Sequence, residues 1–178
     1  MRNLGHCGCW ELFVPSAQKG DKYKFRVLGS DGVLREKVDP FGWKFESLPG
    51  KASIIDDRSV LRKSAILNKL DNPRIAPVSI YEMHLGSWRY HPVSNRPLSF
   101  LELADELPNY LSSLGFTHVE FLPPSEYPFG ASWGYQVTGY YASTHRYGSP
   151  EDFCILLQNL QDVGIGIIRS EEHTSELQ

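Results

Sequence analysis

Residues 99–122 of the 178-residue chain read SFLELADELPNYLSSLGFTHVEFL, and they predict a helix that leads directly into a strand. Ser99 and Glu102 have the spacing of a capping box, in which each side chain accepts a hydrogen bond from a backbone N–H of the other residue. Six apolar side chains then follow at helical spacing: Phe100, Leu103, Ala104, Leu107, Leu111 and Leu114. Gly115 is a typical helix stop, and Pro108 predicts a kink inside the helix.

The alternation of strand and helix extends to both sides of this stretch. Strands are expected over residues 78–85 and 117–122, and a second helix is expected to begin at Ser149, a cap followed by a proline and two acidic residues. The buried stripe of that helix would be Phe153, Leu156, Leu157 and Leu160. Gly164 ends it before a third strand at residues 165–168. This rhythm predicts a parallel sheet with right-handed crossovers.

The first 60 or so residues instead predict an all-β segment. Residues 10–14 form a short apolar run, and apolar and basic side chains alternate over residues 22–27, which is typical of a half-buried strand. Turn residues at 29–32 lead into a returning strand over residues 33–38. About three strands are too few to close a sandwich.

The composition argues against several functional classes. Apolar residues make up 41% of the chain and charged residues 22%, which is ordinary for a soluble globular protein. The net charge of -3 and the scattered basic residues argue against a nucleic-acid partner. No apolar run approaches the ~20 residues of a membrane span, so no membrane partner is expected.

The three cysteines, Cys7, Cys9 and Cys154, are an odd number without CxxC spacing. This pattern argues against a disulfide framework and against a zinc site, and it favours a reducing cytoplasm. No metal and no other cofactor is expected.

The connection after the second βα strand, residues 123–148, is far longer than such loops usually are. Long loops in compact domains commonly carry function. Aromatic residues are frequent in it, among them Phe129, Trp133, Tyr135, Tyr140 and Tyr141. Exposed rings could stack on the apolar face of a sugar. The alternative is that these rings are simply buried.

Residues 169–178 read RSEEHTSELQ and break the pattern, because a buried strand gives way to a polar decapeptide. The string resembles one reading frame of a common sequencing-library adapter, so we expect it to be non-native, although a genuine solvated tail is the alternative. Glu171, Glu172 and His173 have side chains suited to catalysis or metal binding, but for this reason they are not counted as site residues.

Several stretches outside this tail resemble the glycogen (1,4-α-glucan) branching enzymes of the α-amylase superfamily, glycoside hydrolase family 13. They are YEMHLGSWR at 81–89, ELADEL at 102–107, LGFTHVE at 114–120 and WGYQVTGYYA at 133–142. The strings WELFVP at 10–15 and DPF at 39–41 resemble the second half of a family-48 carbohydrate-binding module. Gln136 stands where debranching relatives typically carry aspartate, which favours branching over debranching.

The resemblance implies an α/β fold that contains the N-terminal part of a (β/α)8 TIM barrel, about three strands, preceded by a partial all-β sandwich carbohydrate-binding module. We expect the module at residues 1–60, a linker at 61–77, the first βα units of the catalytic barrel at 78–168 and the non-native tail at 169–178. The module would lack its first strands, so Met1 is expected to be internal to a longer protein.

The resemblance also implies an activity. Branching enzymes cleave an α-1,4 glucan and transfer the segment to a 6-hydroxyl, which forms the α-1,6 branches of glycogen by a retaining mechanism. Their nucleophile and general acid lie on later barrel strands, so no catalytic residue is assigned in this chain. We expect the isolated polypeptide to be inactive and poorly soluble. Its expected partner is an α-glucan. The alternatives are a non-catalytic glucan-binding remnant and a fragment of a related debranching hydrolase.

Tyr135 matches the family tyrosine that stacks beneath the sugar at the cleavage subsite, so the resemblance implies a substrate-binding role for it. Trp133 and Gln136 are its motif neighbours and are further substrate-binding candidates. Glu82 and His84 lie on one face of a strand and could mimic an acid/base pair. We favour a structural role for this pair at the base of the barrel, because a glutamate and a histidine embedded in a strand are often hydrogen-bonded to each other.

Overall fold

The computed structural model describes residues 1–6, 8–47, 50–56 and 76–170. Cys7, residues 61–75 of the expected linker and residues 171–178 of the expected non-native tail therefore lie outside the described residues. No helix within the described ranges is long and apolar enough to cross a membrane.

The described residues of the N-terminal part contain six short strands joined in antiparallel pairs. They are β1 (Arg2–Asn3), β2 (Trp10–Glu11), β3 (Lys22–Tyr23), β4 (Phe25–Leu28), β5 (Leu34–Lys37) and β6 (Ser53–Ile54). The pairs are β1 with β2, β3 with β6, and β4 with β5. The hairpin of β4 and β5 has the expected turn, in which the Gly29 N–H donates to the Val33 carbonyl at 3.0 Å.

Two expectations for this part need correction. The strand expected over residues 10–14 is limited to Trp10–Glu11. The alternation over residues 22–27 holds for Tyr23 and Phe25, which are half-buried, but Val27 is 47% exposed. The other residues of β4 and all of β5 are exposed as well, so little of the described chain packs on either face of this hairpin.

The C-terminal part is built on a three-stranded parallel sheet. Its strands are β7 (Ile80–Met83), β8 (His118–Phe121) and β11 (Gly166–Arg169), in the order β11-β8-β7. Helix α1 (Phe100–Ser113) connects β7 to β8, and helix α2 (Pro150–Asp162) precedes β11. Both helices and the parallel pairing agree with the expected alternation of strands and helices. The third strand begins and ends one residue later than expected.

The two helices pack against each other and against one face of the sheet. Alternation along the strands directs Met83, Val119 and Phe121 into this core. The complete set of core residues is Met83, Leu85, Leu98, Phe100, Leu103, Ala104, Leu107, Leu111, Val119, Phe121, Tyr147, Leu156, Leu160 and Ile165. On the opposite face, Ile80 is 46% exposed and Glu82 is also exposed.

Both helices begin as the sequence predicts. Ser99 caps α1 and Ser149 caps α2, and each start is a complete capping box. Leu156 and Leu160 of the second stripe are fully buried, whereas Phe153 and Leu157 pack against the core from partly exposed positions. Leu114 is a correction to the first stripe, since it is 56% exposed. It lies at the C-cap, where the chain turns away from the helix axis.

The capping box of α1 leads to a testable prediction about how its stability depends on pH. Arg96 forms a bidentate ion pair with Glu102, with N–O distances of 2.7 and 2.8 Å. The Ser99 N–H donates to the same carboxylate at 2.7 Å. These donors, Arg96 foremost, hold the pKa of Glu102 well below its ordinary value of 4.5. Because the folded pKa is lowered, the stabilisation is fully present above about pH 4.5 and is lost as the pH falls toward the folded pKa.

We therefore expect the Glu102 carboxyl resonance to titrate below pH 4.5 in a carbon-13 NMR titration. Replacing Arg96 by glutamine should raise the midpoint, because the largest cause of the shift is removed. A midpoint at the ordinary glutamate value in the unsubstituted chain would contradict the capping geometry.

Candidate functional site

The long connection after β8 is folded rather than irregular. It contains β9 (Ser125–Glu126), a 3-10 turn (Gly130–Ser132), β10 (Gly139–Ser143) and a second 3-10 turn (His145–Tyr147). Strands β9 and β10 pair antiparallel, with a register shift between Gly139 and Ser143. We call residues 127–138, between these two strands, the aromatic loop.

A buried carboxylate joins the two ends of this connection. Glu126 is 6% exposed, and its Oε2 accepts hydrogen bonds from the His145 N–H at 2.9 Å and from the ring Nδ1 at 2.7 Å. The Glu126 Oε1 accepts from Arg146 Nη1 at 3.1 Å and from the Tyr127 N–H at 3.1 Å. The Arg146 guanidinium in turn lies 4.0 Å above the Tyr127 ring. The base of the aromatic loop is therefore fixed by charged hydrogen bonds and a cation–π contact.

The centre of the loop lies against the end of β8. Gly134 has φ of +93°, and a Cβ added there would meet the Pro123 carbonyl oxygen at 2.4 Å. Trp133 has φ of +56°, in the left-handed region that bulky residues rarely adopt. Such backbone conformations persist where the surroundings enforce them, and they cluster at ligand-binding sites.

The three predicted site residues lie together on this loop. Trp133 is 61% exposed, Gln136 is also exposed, and Tyr135 is half-buried. The Tyr135 hydroxyl lies 3.3 Å from Ser170 Oγ. Because Ser170 belongs to the segment expected to be non-native, this contact carries no weight for ligand binding.

Three further aromatic side chains of the connection are accessible, whereas Tyr127 and Tyr147 are buried. Phe129 is 56% exposed, Tyr140 40% and Tyr141 55%. The alternative in which these rings are simply buried is therefore wrong for them. Tyr141 stacks on Phe41 of the N-terminal part, with ring centroids 5.5 Å apart and planes 19° apart.

Sequence reasoning placed His84 in a structural pair with Glu82, and the structure corrects this interpretation. Strand β7 ends at Met83, so His84 lies just past its carboxyl end, on the edge where the aromatic loop lies. Its Nδ1 is 3.2 Å from Ser87 Oγ, and its ring centroid is 6.4 Å from that of Trp133. The alternation of side chains along a strand placed Glu82 and His84 on one face, but it could not show that β7 ends before His84.

Two clefts of the structure, of about 190 and 370 Å³, lie away from the three predicted site residues, since neither is lined by Trp133, Tyr135 or Gln136. The larger one lies between β4–β5 and the base of the aromatic loop, with Phe45 and Tyr127 in its walls. Within the described ranges, no group of three or more histidine, cysteine, aspartate or glutamate side chains could hold a metal ion.

Comparisons with known proteins relate the chain to enzymes that act on glucans. The family model of carbohydrate-binding module 48 (isoamylase N-terminal domain) matches residues 1–42. The 1,4-alpha-glucan branching enzyme GlgB of Rhodopseudomonas palustris is 51% identical over 162 residues, which are 90% of this chain and 22% of that protein. The GlgB protein of Frankia casuarinae is 48% identical over 171 residues, 94% of this chain and 20% of that protein.

Solved structures give the fold independently of close sequence similarity. A putative alpha amylase from Salmonella typhimurium has a TM-score of 0.59 at 23% identity. The similar region covers 88% of this chain and 24% of the amylase chain. A pullulanase from Anoxybacillus, complexed with maltotriose, has a TM-score of 0.60 at 20% identity. The similar region covers 85% of this chain and 25% of the pullulanase chain. The chain thus combines a region of carbohydrate-binding-module type with part of an amylase-like fold.

The chain spans about a fifth of the length of the curated relatives that it matches. Over nearly all of its own length it is about half identical to them. Over nearly all of its length, the chain is therefore similar to one stretch of 1,4-alpha-glucan branching enzymes.

Proposed function

We propose that the chain is part of a cytoplasmic 1,4-α-glucan branching enzyme and that its aromatic loop binds an α-glucan through Tyr135, Trp133 and Gln136. The observation that carries this proposal is the position of the loop. It lies against Pro123, which follows β8, and beside His84, which follows β7. Ligands of α/β folds bind outside the carboxyl ends of parallel strands, so this edge is where a substrate is expected.

The finer architecture is part of the same proposal. We assign residues 78–168 to the first βα units of a (β/α)8 barrel, residues 1–60 to a partial carbohydrate-binding sandwich and residues 61–77 to the linker. Support comes from the parallel order of β7, β8 and β11, with both helices on one face of the sheet. In a barrel the opposite face, which carries Glu82, would point inward.

The proposed reaction of the whole enzyme is a retaining glycosyl transfer. A carboxylate attacks the anomeric carbon, a carboxylic acid protonates the leaving oxygen, and a 6-hydroxyl of a glucan then takes the glycosyl group in place of water. We assign neither carboxyl group within residues 1–178. The role proposed for this chain is to hold the glucan, and the isolated polypeptide should bind glucan without transferring it.

Replacing Tyr135 by alanine tests the binding role. We expect the affinity for maltoheptaose to fall about tenfold, because loss of one aromatic face removes about 1–1.5 kcal/mol of stacking. The chain should be produced fused to a soluble carrier without affinity for glucans, and binding should be measured by isothermal titration calorimetry. Tyr135→Phe is the matched control, since it keeps the ring and removes the hydroxyl that contacts Ser170. Equal affinity of all three proteins would refute glucan binding at Tyr135.

A non-catalytic glucan-binding protein remains the second candidate, and the match of residues 1–42 to a carbohydrate-binding module favours it. Under that function the N-terminal part would carry the binding. Affinity for glycogen that survives the Tyr135→Ala change in full would support this candidate over the first.

A further inference from the structure

His84 is a polar side chain that lies beside Trp133 of the proposed glucan site and has not been assigned to that site by its motif. Its ring centroid lies 6.4 Å from that of Trp133, with the planes inclined by 39°. The backbone holds it there, because the Ser87 N–H donates to the His84 carbonyl at 3.1 Å and closes a tight turn after β7. The imidazole therefore lies at the carboxyl edge of the sheet, beside the most exposed ring of the loop.

The hydrogen bonds of this imidazole leave one nitrogen available. Ser87 Oγ lies 3.2 Å from Nδ1, and no other described residue forms a hydrogen bond with the ring. Burial lowers the pKa of His84 and so favours the neutral ring. A neutral imidazole has one donor and one acceptor, and with Nδ1 engaged by Ser87 the second of these is at Nε2.

A sugar against Trp133 would present hydroxyl groups at its rim. Aromatic platforms bind the apolar face of a pyranose, so the equatorial hydroxyls point sideways from the stack. A fixed polar atom beside the platform then selects the orientation of the sugar, as the few polar groups of a ligand site commonly do. The His84 ring lies beside Trp133, with centroids 6.4 Å apart, and Nε2 is the nitrogen that Ser87 leaves available.

We propose that His84 is a further ligand-contacting residue of the aromatic-loop site, and that its Nε2 forms a hydrogen bond with a hydroxyl of the glucan ring that lies against Trp133. The proposal rests on the proposed function, because the ligand class comes from there. Ser87 is a positioning residue, which holds the ring through Nδ1.

The decisive measurement is a nitrogen-15 NMR titration of the chain labelled at histidine, fused to a small histidine-free carrier, with maltoheptaose as ligand. We expect the Nε2 resonance of His84 to shift on binding, while that of His118, which lies on strand β8 with its ring against Gly166, stays in place. A purely structural histidine would not report the ligand in this way.

Substitution gives the second readout. His84→Phe keeps a ring of similar size and removes both nitrogens, so the affinity for maltoheptaose should fall about five- to tenfold, as for one lost hydrogen bond. Binding that is lost in Tyr135→Ala but unchanged in His84→Phe, with no Nε2 shift, would overturn this proposal and leave the proposed function standing. No binding by the unsubstituted chain would overturn both. If His84→Phe fails to fold, the Nε2 titration of the unsubstituted chain decides alone.

Discussion

Replacing Phe100 by alanine is expected to destabilise the βα part of the chain by about 3–5 kcal/mol. The side chain is fully buried at the first residue of α1. Its ring packs on Phe153 of α2 at a centroid distance of 4.9 Å and on Tyr147 at 5.8 Å. The substitution would therefore open a cavity where the two helices and the long connection meet.

The effect can be measured by hydrogen exchange of the α1 amides, on the chain fused to a soluble carrier. This method reports the opening free energy of the helix without requiring one transition for the whole chain. Leu101→Ala is the matched control, because Leu101 is the next residue and is 44% exposed. It should change the opening free energy by less than about 1 kcal/mol. Similar losses in both variants would show that α1 does not pack as described.

Replacing Glu126 by alanine is expected to cost about 3 kcal/mol in the stability of the aromatic loop. Removing one partner of a buried ion pair leaves the other charge desolvated, which costs about 3–5 kcal/mol. The lower end applies because the partners keep some contact with water, the Arg146 side chain being 20% exposed and that of His145 29%. The main-chain donors at His145 and Tyr127 would also lose their acceptor.

Limited proteolysis within residues 127–138 reports this change, since Glu126 directly precedes this loop and its carboxylate holds His145 and Arg146 at the far end of the connection. We expect cleavage to accelerate about a hundredfold, the factor that about 3 kcal/mol represents. Glu106→Ala is the control, because the Glu106–Arg89 pair is 45% exposed on both sides and such surface pairs contribute about 0–1 kcal/mol. Unchanged cleavage in Glu126→Ala would mean that the carboxylate does not hold the loop.

The local elements of the βα part were predictable from sequence because their signals are short-range. Ser99 with Glu102 and Ser149 with Asp152 lie three residues apart, and each pair forms the capping box expected from that spacing. The buried stripe of α1 followed from helical periodicity as far as Leu111. It was wrong at Leu114, because periodicity does not show where the chain leaves the helix.

The N-terminal part was less predictable. Alternation over residues 22–27 gave a strand, but the burial of its apolar side chains depends on what covers the hairpin. Val27 is exposed for that reason. The same sequence signal therefore has different outcomes in β4 and in β8, where Val119 is fully buried beneath the helices.

The candidate site also has a part that the sequence predicted and a part that only the structure showed. Tyr135, Trp133 and Gln136 were found through a contiguous motif, and the structure places them on one accessible loop. By itself, the sequence determined the helix starts, the βα order and the resemblance to branching enzymes, because these depend on residues near one another in the chain. Only the tertiary structure showed that Glu126 binds His145 and Arg146, and that His84 lies beside Trp133. These partners are 19 to 49 residues apart along the chain, and folding alone decides which of many distant polar groups become neighbours.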